Sequence, residues 1–241
     1  MNRRRPARKG APQERLSLAG GRVTAVRPVR SKPEWSWVSV DGRRAARVET
    51  ASLGSLGIAV GATWTAAMES AARAAEARGA AKAYALRAIA SRPLSVAEML
   101  ARLEARGYDA ATSAAVAADL QRVGLLDDER FARDFIRAQL ARKPAGRALL
   151  IAGLRRRRIE DGVARRAVDE ALGEVDLSGG AYRLAAARLR RMDPRLEPEV
   201  MRRRLFGLLA RRGFDPETAR EAVDRAMKAA GKGGRSWEHT D

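Results

Sequence analysis

Apolar residues follow two different spacings along the chain. Between Arg22 and Thr50 they alternate with polar residues, the pattern of β-strands that bury one face. The dipeptide Asp41-Gly42 interrupts this alternation and is typical of a two-residue hairpin turn. Trp35 and Trp37 are two residues apart on one predicted strand. Such rings can stack on nucleic-acid bases, but we expect these two to form one face of a small core.

From Ala66 onward the apolar residues recur at the i, i+3, i+4 and i+7 positions of helices. One stripe of this kind occurs three times without gaps, at spacings of 51 and 55 residues. Its members are Val96, Met99, Leu100 and Leu103; Arg147, Leu150, Ile151 and Leu154; and Arg202, Leu205, Phe206 and Leu209. Repeats of about this length indicate helical units that stack on their neighbours and form an elongated, curved body.

A turn follows each stripe at a fixed distance. The three turns are Gly107-Tyr108-Asp109, Arg158-Ile159-Glu160 and Gly213-Phe214-Asp215. In the first and third turns, glycine suits the left-handed residue that ends a helix, and aspartate suits the N-cap of the next helix. The second turn has Arg158 and Glu160 at these positions, so we expect it to be built differently.

Short polar residues mark the helix starts. Ser95 and Glu98 have the spacing of a capping box. Asp127 is a suitable N-cap for a helix that begins with Asp128 and Glu129. These three acids could also be interpreted as a metal cluster, but their place at a helix start favours capping.

These patterns divide the chain into six segments. We predict a disordered basic arm over 1–20, a small β-hairpin segment over 21–65, a first three-helix repeat with a leading helix over 66–127, a second repeat over 128–175, a third over 176–228 and a disordered tail over 229–241. The predicted fold class is therefore mainly α, with tandem three-helix repeats after a small N-terminal β segment.

The chain carries a large positive charge. Its 241 residues include 48 Lys and Arg against 29 Asp and Glu, a formal net charge of +19. Residues 1–48 hold 13 basic and 3 acidic residues, whereas residues 93–129 hold 3 basic and 7 acidic ones. A genome rich in G and C would explain the preference for Arg over Lys. It would not explain the surplus of positive charge, which indicates a nucleic acid or nucleoprotein partner.

Signals of an enzyme, a membrane protein or an exported protein are weak. The absence of cysteine excludes disulfides, thiol nucleophiles and cysteine-based zinc sites. The sole histidine, His239, falls in the predicted tail, and Gly231-Lys232-Gly233 lacks the rest of a phosphate-binding loop. The uncharged residues 50–68 are too rich in Gly, Ser and Thr to span a bilayer, and no apolar segment follows the basic N-terminus. We expect a cytoplasmic protein with no catalytic residues, cofactor or metal.

Arginines of the second and third repeats form the predicted binding surface. Its ten members are Arg147, Arg155, Arg156, Arg157, Arg158, Arg202, Arg203, Arg204, Arg211 and Arg212. Several occupy equivalent positions in the two repeats, and like charges at this density repel one another unless an anionic partner neutralises them. Any single arginine could equally belong to a solvated face, so the prediction depends on the repeated set.

Three segments together resemble the RecX family of regulatory proteins. They are residues 124–132 (GLLDDERFA), residues 205–214 (LFGLLARRGF), and residues 85–93 followed by Ser95 and Glu98. The resemblance covers about residues 80–228, and more weakly the strand segment over 22–64. Any one segment alone would be a weak signal, whereas the combination is specific.

The resemblance implies a monomeric regulator of homologous recombination, DNA repair and the SOS response. Members of the family lie in the groove of the RecA–DNA filament, where they inhibit filament extension, ATP hydrolysis and strand exchange, and they also bind single- and double-stranded DNA. Inhibition by bridging adjacent subunits and inhibition by blocking new ones both stay open.

Two other interpretations belong to different classes of protein. One is an enzyme of unrecognised type. The other is a stand-alone DNA-binding protein whose repeats act as helix-turn-helix readers. Gln121 and Gln139 are the only Gln in the repeats, which contain no Asn. This scarcity of base-reading side chains argues against direct sequence readout.

Overall fold

A computed structural model describes residues 17–231, in which three strands precede nine α-helices. The strands are β1 (Val23–Val29), β2 (Lys32–Val40) and β3 (Arg43–Glu49); the helices are α1 (Ala66–Ser91), α2 (Val96–Ala105), α3 (Ala110–Arg122), α4 (Asp128–Arg142), α5 (Arg147–Arg156), α6 (Asp161–Gly173), α7 (Leu177–Leu189), α8 (Pro198–Arg211) and α9 (Pro216–Ala229). The predicted fold class, mainly α with tandem three-helix repeats and a small N-terminal β segment, is confirmed. The curved, elongated shape stays a prediction.

The helices are grouped in threes, and each group encloses its own cluster of buried side chains. The predicted apolar stripes are the buried faces of the middle helices. Met99, Leu103, Leu150, Leu154, Leu205 and Leu209 are each at most 1% exposed. The chain divides between Leu126 and Asp127 into two compact units, so the sheet and the first repeat form one unit and the last two repeats form the other.

The N-terminal sheet is antiparallel, with the strand order β1-β2-β3. Positive φ angles at Asp41 (47°) and Gly42 (76°) give the predicted hairpin turn. The core face of β2 carries Ser36, Val38 and Val40, which are all at most 1% exposed. Because side chains alternate along a strand, both tryptophans of β2 lie on the opposite face. The prediction that they form a face of the core is therefore wrong.

Helix α1 takes part in two hydrophobic cores of the first unit. It runs unbroken for 26 residues, so the predicted leading helix and the first helix of the repeat are one element. Its first half places Ala72 in the core of the sheet, and its second half places Ala81 and Ala85 in the core of the first repeat. Alanine suits both positions, since its small side chain lets neighbouring elements approach closely.

The chain just before the sheet is tied to α1. The Ser17 hydroxyl donates a hydrogen bond to the Glu69 carboxylate at 2.8 Å, and the Gly20 N–H donates to the Trp64 carbonyl at 2.8 Å. Burial opposes ionisation of Glu69, but the bond from Ser17 and the charge of Arg73 lower the pKa of this carboxyl below its usual value. Residues 17–20, which the prediction placed in a disordered arm, therefore have defined partners. The rest of that arm, 1–16, and residues 232–241 of the predicted tail lie outside the described residues.

The turn after the middle helix has the same construction in all three repeats. Its first residue has a positive φ in each case: 92° at Gly107, 57° at Arg158 and 79° at Gly213. Glu160 caps α6 by accepting hydrogen bonds from the N–H groups of residues 162 and 163, as Asp109 and Asp215 cap the equivalent helices. The expectation that the second turn is built differently is wrong, because arginine here adopts the left-handed conformation that glycine adopts elsewhere.

Arg158→Gly is expected to stabilise the second unit by about 1 kcal/mol relative to Arg158→Ala. Both variants remove the same guanidinium. Glycine, which has no Cβ atom, adopts a positive φ without the steric clash that the Cβ atom of alanine makes. Urea unfolding followed by far-UV circular dichroism would measure the difference. Equal midpoints for the two variants would show that this turn is not strained.

The third repeat caps the middle helix of the second repeat. The N-cap of α5 is Gly146, which has no side chain to bond the free N–H groups of the first turn. The turn between α8 and α9 supplies carbonyls instead: the Gly146 N–H donates to the Arg212 oxygen at 2.9 Å, and the Ala148 N–H donates to the Gly213 oxygen at 3.2 Å. A Cβ atom on Gly146 would collide with the Gly213 carbonyl. The backbones can approach this closely only because glycine stands on both sides.

Candidate functional site: the arginines of the second and third repeats

The ten predicted surface arginines do not share one environment. They lie at the start of α5, at the end of α5 with its following turn, and along α8 with its C-terminal cap. Some hold the fold together, some are paired with carboxylates, and the rest have no ion pair within residues 17–231. In the last group, no carboxylate of the described residues competes with an external anion.

Arg202 is structural and not part of the surface. It is 5% exposed, and its guanidinium is paired with Asp224 of α9. At the equivalent positions of the second repeat, Arg147 of α5 pairs with Asp169 of α6, but both side chains are about half exposed, 52% and 50%. The hydrogen bond and charge of Arg147 lower the pKa of Asp169 below its usual value. The prediction that placed Arg202 on the surface is therefore wrong, because the same residue type is buried in one repeat and solvated in the other.

Arg212 is likewise occupied by the fold. Its Nε and Nη2 atoms donate hydrogen bonds to the Pro144 carbonyl at 3.1 and 2.6 Å, and Nη2 also donates to the Lys143 carbonyl at 3.1 Å. These bonds fasten the third repeat to the linker between α4 and α5. Replacing Arg212 would therefore disturb the packing of the two repeats as well as the surface charge.

Two arginines at the end of α5 have local partners. Arg155 makes a two-pronged pair with the Asp161 carboxylate, at 2.8 Å from Nε and 2.6 Å from Nη2. This hydrogen bonding lowers the pKa of Asp161 below its usual value. The guanidinium of Arg157 lies 4.7 Å from the ring centroid of Phe131, a cation–π contact that holds it against α4.

Four arginines converge on one open cavity of about 590 Å³ in the third repeat. Three of them, Arg203, Arg204 and Arg211, belong to α8, and Arg188 comes from α7. Gly207 and Leu208 complete the lining by described residues, so no carboxylate of residues 17–231 lines the cavity. None of the four has an ion pair within the part of the chain that the structure describes. We call this set the arginine cavity.

Helical spacing and a glycine shape the arginine cavity. Residues 203, 204, 207 and 211 recur on one side of α8 because three- and four-residue steps return to the same face. Gly207 leaves the middle of that face open, with Arg211 Nη1 only 3.3 Å from where a Cβ would stand. The sequence pattern missed Arg188, since it belongs to a different helix and only the tertiary fold brings it beside α8.

The remaining two predicted residues lie around the end of α5. Arg156 and Arg158 are exposed and have no ion pair within the described chain. A second depression, of about 670 Å³, lies nearby and contains Arg147, Arg155 and Arg165. Asp169 and Asp215 also line it, so its positive charge is partly neutralised. The arginine cavity of the third repeat is therefore the more strongly electropositive site.

The acidic residues at the start of α4 cap the helix, as predicted. The Asp127 carboxylate accepts a hydrogen bond from the Arg130 N–H at 2.9 Å. Among residues 17–231 there is no group of three His, Cys, Asp or Glu side chains that could hold a metal ion. No helix of the described region is long and apolar enough to cross a bilayer. Lys232 and His239 lie outside the described residues.

Comparison with known proteins gives consistent relatives. Residues 180–223, which contain all the described lining residues of the arginine cavity, match the family domain described as RecX, third three-helix domain. The regulatory protein RecX of Mycobacterium sp. (strain KMS) is 37% identical over 149 residues, which cover 59% of this chain and 79% of that protein. The regulatory protein RecX of Chlorobaculum tepidum is 33% identical over 140 residues, which cover 58% of this chain and 84% of that protein.

Solved structures share the fold. A crystal structure of the regulatory protein RecX superposes with a TM-score of 0.68 at 16% identity, covering 82% of this chain and 96% of that one. The RecX structure from Lactobacillus salivarius gives 0.55 at 15% identity, covering 63% and 97% of the two chains. Both of these sequence relatives are named as regulatory proteins. By identity and by coverage, the chain belongs to the RecX family of regulatory proteins.

Proposed function

We propose that this protein binds the RecA–DNA filament and inhibits the recombinase, lowering ATP hydrolysis, strand exchange and filament extension. Family membership supports regulation, and the resemblance described above supports the filament as its target. The observation that carries the proposal is the arginine cavity, where four guanidiniums of α7 and α8 have neither a carboxylate in the lining nor an ion pair in the described chain. An anionic partner would relieve the repulsion between them.

The arginine cavity is better suited to binding DNA phosphates than to recognising bases. Guanidinium groups form two-pronged hydrogen bonds with phosphate oxygens. Contacts of this kind are independent of sequence and weaken as salt rises. The expected binding is therefore non-specific, to single- and double-stranded DNA. Arg156 and Arg158 extend the proposed surface into the second repeat.

The test is recombinase ATPase activity on single-stranded DNA at increasing concentrations of this protein. The quadruple variant R188A/R203A/R204A/R211A is expected to need at least about tenfold more protein for half-inhibition, because its phosphate contacts are lost. Its circular dichroism spectrum should match the wild type. Arg157, Arg202 and Arg212 are left intact, since their contacts support the fold.

A matched control removes the same charge elsewhere in the second unit. R133A/R142A/R195A/R220A also deletes four exposed arginines, but none of them lines the arginine cavity. This variant should inhibit within about twofold of the wild type if position matters more than total charge. Full inhibition by the folded cavity variant would contradict the proposed surface. DNA binding without any effect on recombinase activity would instead favour a stand-alone DNA-binding protein.

A further inference from the structure

The outer face of the N-terminal sheet combines aromatic and cationic side chains. Trp35 and Trp37 project from β2 on the side opposite the buried valines. In the pairing register, Arg27 of β1 and Arg47 of β3 lie directly across from Trp37 on either side. Residues paired across strands share a face, so an arginine flanks this ring on both neighbouring strands.

Cation–π contacts order this face. The Cζ atom of Arg44 lies 4.9 Å from the ring centroid of Trp37. Arg47 lies between the two tryptophans, 5.1 Å from the Trp35 centroid and 5.9 Å from the Trp37 centroid. Its Nε atom is buried and has no hydrogen-bond partner in the described chain. Arg44 and Arg47 therefore rest on the rings without an ion pair to a carboxylate of residues 17–231.

The two tryptophans have different surroundings. Trp35 is pressed against Gly79 of α1, where a Cβ atom would come within 2.7 Å of the ring atom Cζ2. The glycine at this point of the helix makes room for the indole, so Trp35 is anchored. Trp37 is half-buried and stands next to Arg27 and Arg44, which are both exposed. It is the ring that this face offers to a ligand.

The chemistry of the face fits bases joined by phosphates. Every nucleic-acid base has a flat π-face that stacks on indole or on a guanidinium plane. The arginines beside Trp37 would pair with the phosphates between successive bases. The strand pairing places one acidic residue, Glu49 of β3, opposite Trp35 and none opposite Trp37. A duplex hides its bases in the stack, and an acidic peptide would use the arginines but leave the indole without a partner.

We infer that the outer face of the sheet binds single-stranded DNA by stacking a base on Trp37 and pairing phosphates with Arg27, Arg44 and Arg47. The inference rests on the proposed function only in choosing DNA over RNA. It concerns the first unit, whereas the arginine cavity belongs to the second.

The experiment uses the full chain without recombinase. Fluorescence anisotropy would measure the binding of a labelled 20-nucleotide oligo-dT and of an abasic deoxyribose-phosphate oligomer of the same length. Trp37→Ala should lower the affinity for oligo-dT about tenfold, the loss of one base–aromatic stack, and leave the affinity for the abasic oligomer unchanged. Trp37→Phe, which keeps a ring and a folded sheet, should lose less than Trp37→Ala. The cavity variant R188A/R203A/R204A/R211A is the control, since it should weaken both oligomers alike.

Several outcomes would overturn the inference. Three concern Trp37→Ala: wild-type affinity for oligo-dT, an equal loss of affinity for oligo-dT and for the abasic oligomer, or a larger loss of affinity for duplex DNA than for oligo-dT. Two concern the wild-type protein: competition by polyglutamate as effective as competition by unlabelled oligo-dT, or tighter binding of oligo-rU than of oligo-dT. A loss of ATPase inhibition in the cavity variant alone, with base-dependent binding intact, would support the sheet as a separate site. If recombinase inhibition fails altogether but base-dependent binding depends on Trp37, the proposed function is wrong and the sheet inference stands.

Discussion

Gly213→Ala should lower the free energy of unfolding of the second unit by about 3 kcal/mol. Two costs combine. Alanine at a φ of 79° has the strain of a left-handed residue, roughly 1–2 kcal/mol. Its methyl group would also stand 2.7 Å from the Leu149 Cβ atom, so α5 would have to move away from the turn, a further cost of roughly 1–3 kcal/mol. Such a movement would break the hydrogen bond that the Ala148 N–H donates to the Gly213 carbonyl. Urea unfolding followed by circular dichroism would measure the loss.

The matched control is Gly107→Ala in the first repeat. This glycine has nearly the same role, with a φ of 92°, but nothing lies within 4 Å of an added Cβ atom. Its replacement should cost only this strain, roughly 1–2 kcal/mol. If the two variants lose equal stability, the contact between the second and third repeats contributes nothing at this turn.

Asp224→Ala should destabilise the third repeat by about 2–3 kcal/mol. The substitution removes the carboxylate that faces Arg202, a guanidinium whose side chain is only 6% exposed. Removing one member of a buried pair typically costs about 3–5 kcal/mol. We expect a smaller loss, about 2–3 kcal/mol, because Asp224 is 37% exposed and water can reach the site. Hydrogen exchange of peptides from α8 and α9 would report the change locally.

Asp169→Ala is the corresponding change in the second repeat. The ion pair there is half exposed on both sides, and solvated pairs contribute about 0–1 kcal/mol. Faster exchange in α8 and α9 of Asp224→Ala, with little change in α5 and α6 of Asp169→Ala, is the expected result. Equal effects would mean that the burial of Arg202 is energetically unimportant.

Periodicity and turn chemistry predicted most of the helical fold because the information is local. The stripe containing Leu150 and Leu154 repeats at helical spacing, and the capping residues Ser95 and Asp127 lie beside the helices that they start. Arg158 shows the limit of this reasoning. Arg158 adopts a left-handed conformation that its propensity disfavours, because the next two residues bury Ile159 in the core and use Glu160 to cap α6.

The candidate site was only partly predictable because the sequence does not distinguish a buried structural arginine from an exposed one. Nothing in the local sequence separates the buried Arg202 from the exposed Arg203 beside it; the orientation of α8 against its neighbours decides. Arg188 was missed because it joins the cavity from another helix. The face of the tryptophans was misassigned because Val38 and Val40, one step out of phase with them, provide the buried side of β2.

The continuity of α1 has a consequence for how the first unit opens. Ala72 and Ala85 belong to different cores but to one rod of hydrogen-bonded backbone. Fraying that begins at the sheet can pass into the first repeat, and the stability of the repeat in turn opposes fraying of the sheet. Since one helix links the two cores, we expect the sheet and the first three helices to unfold together as one cooperative unit.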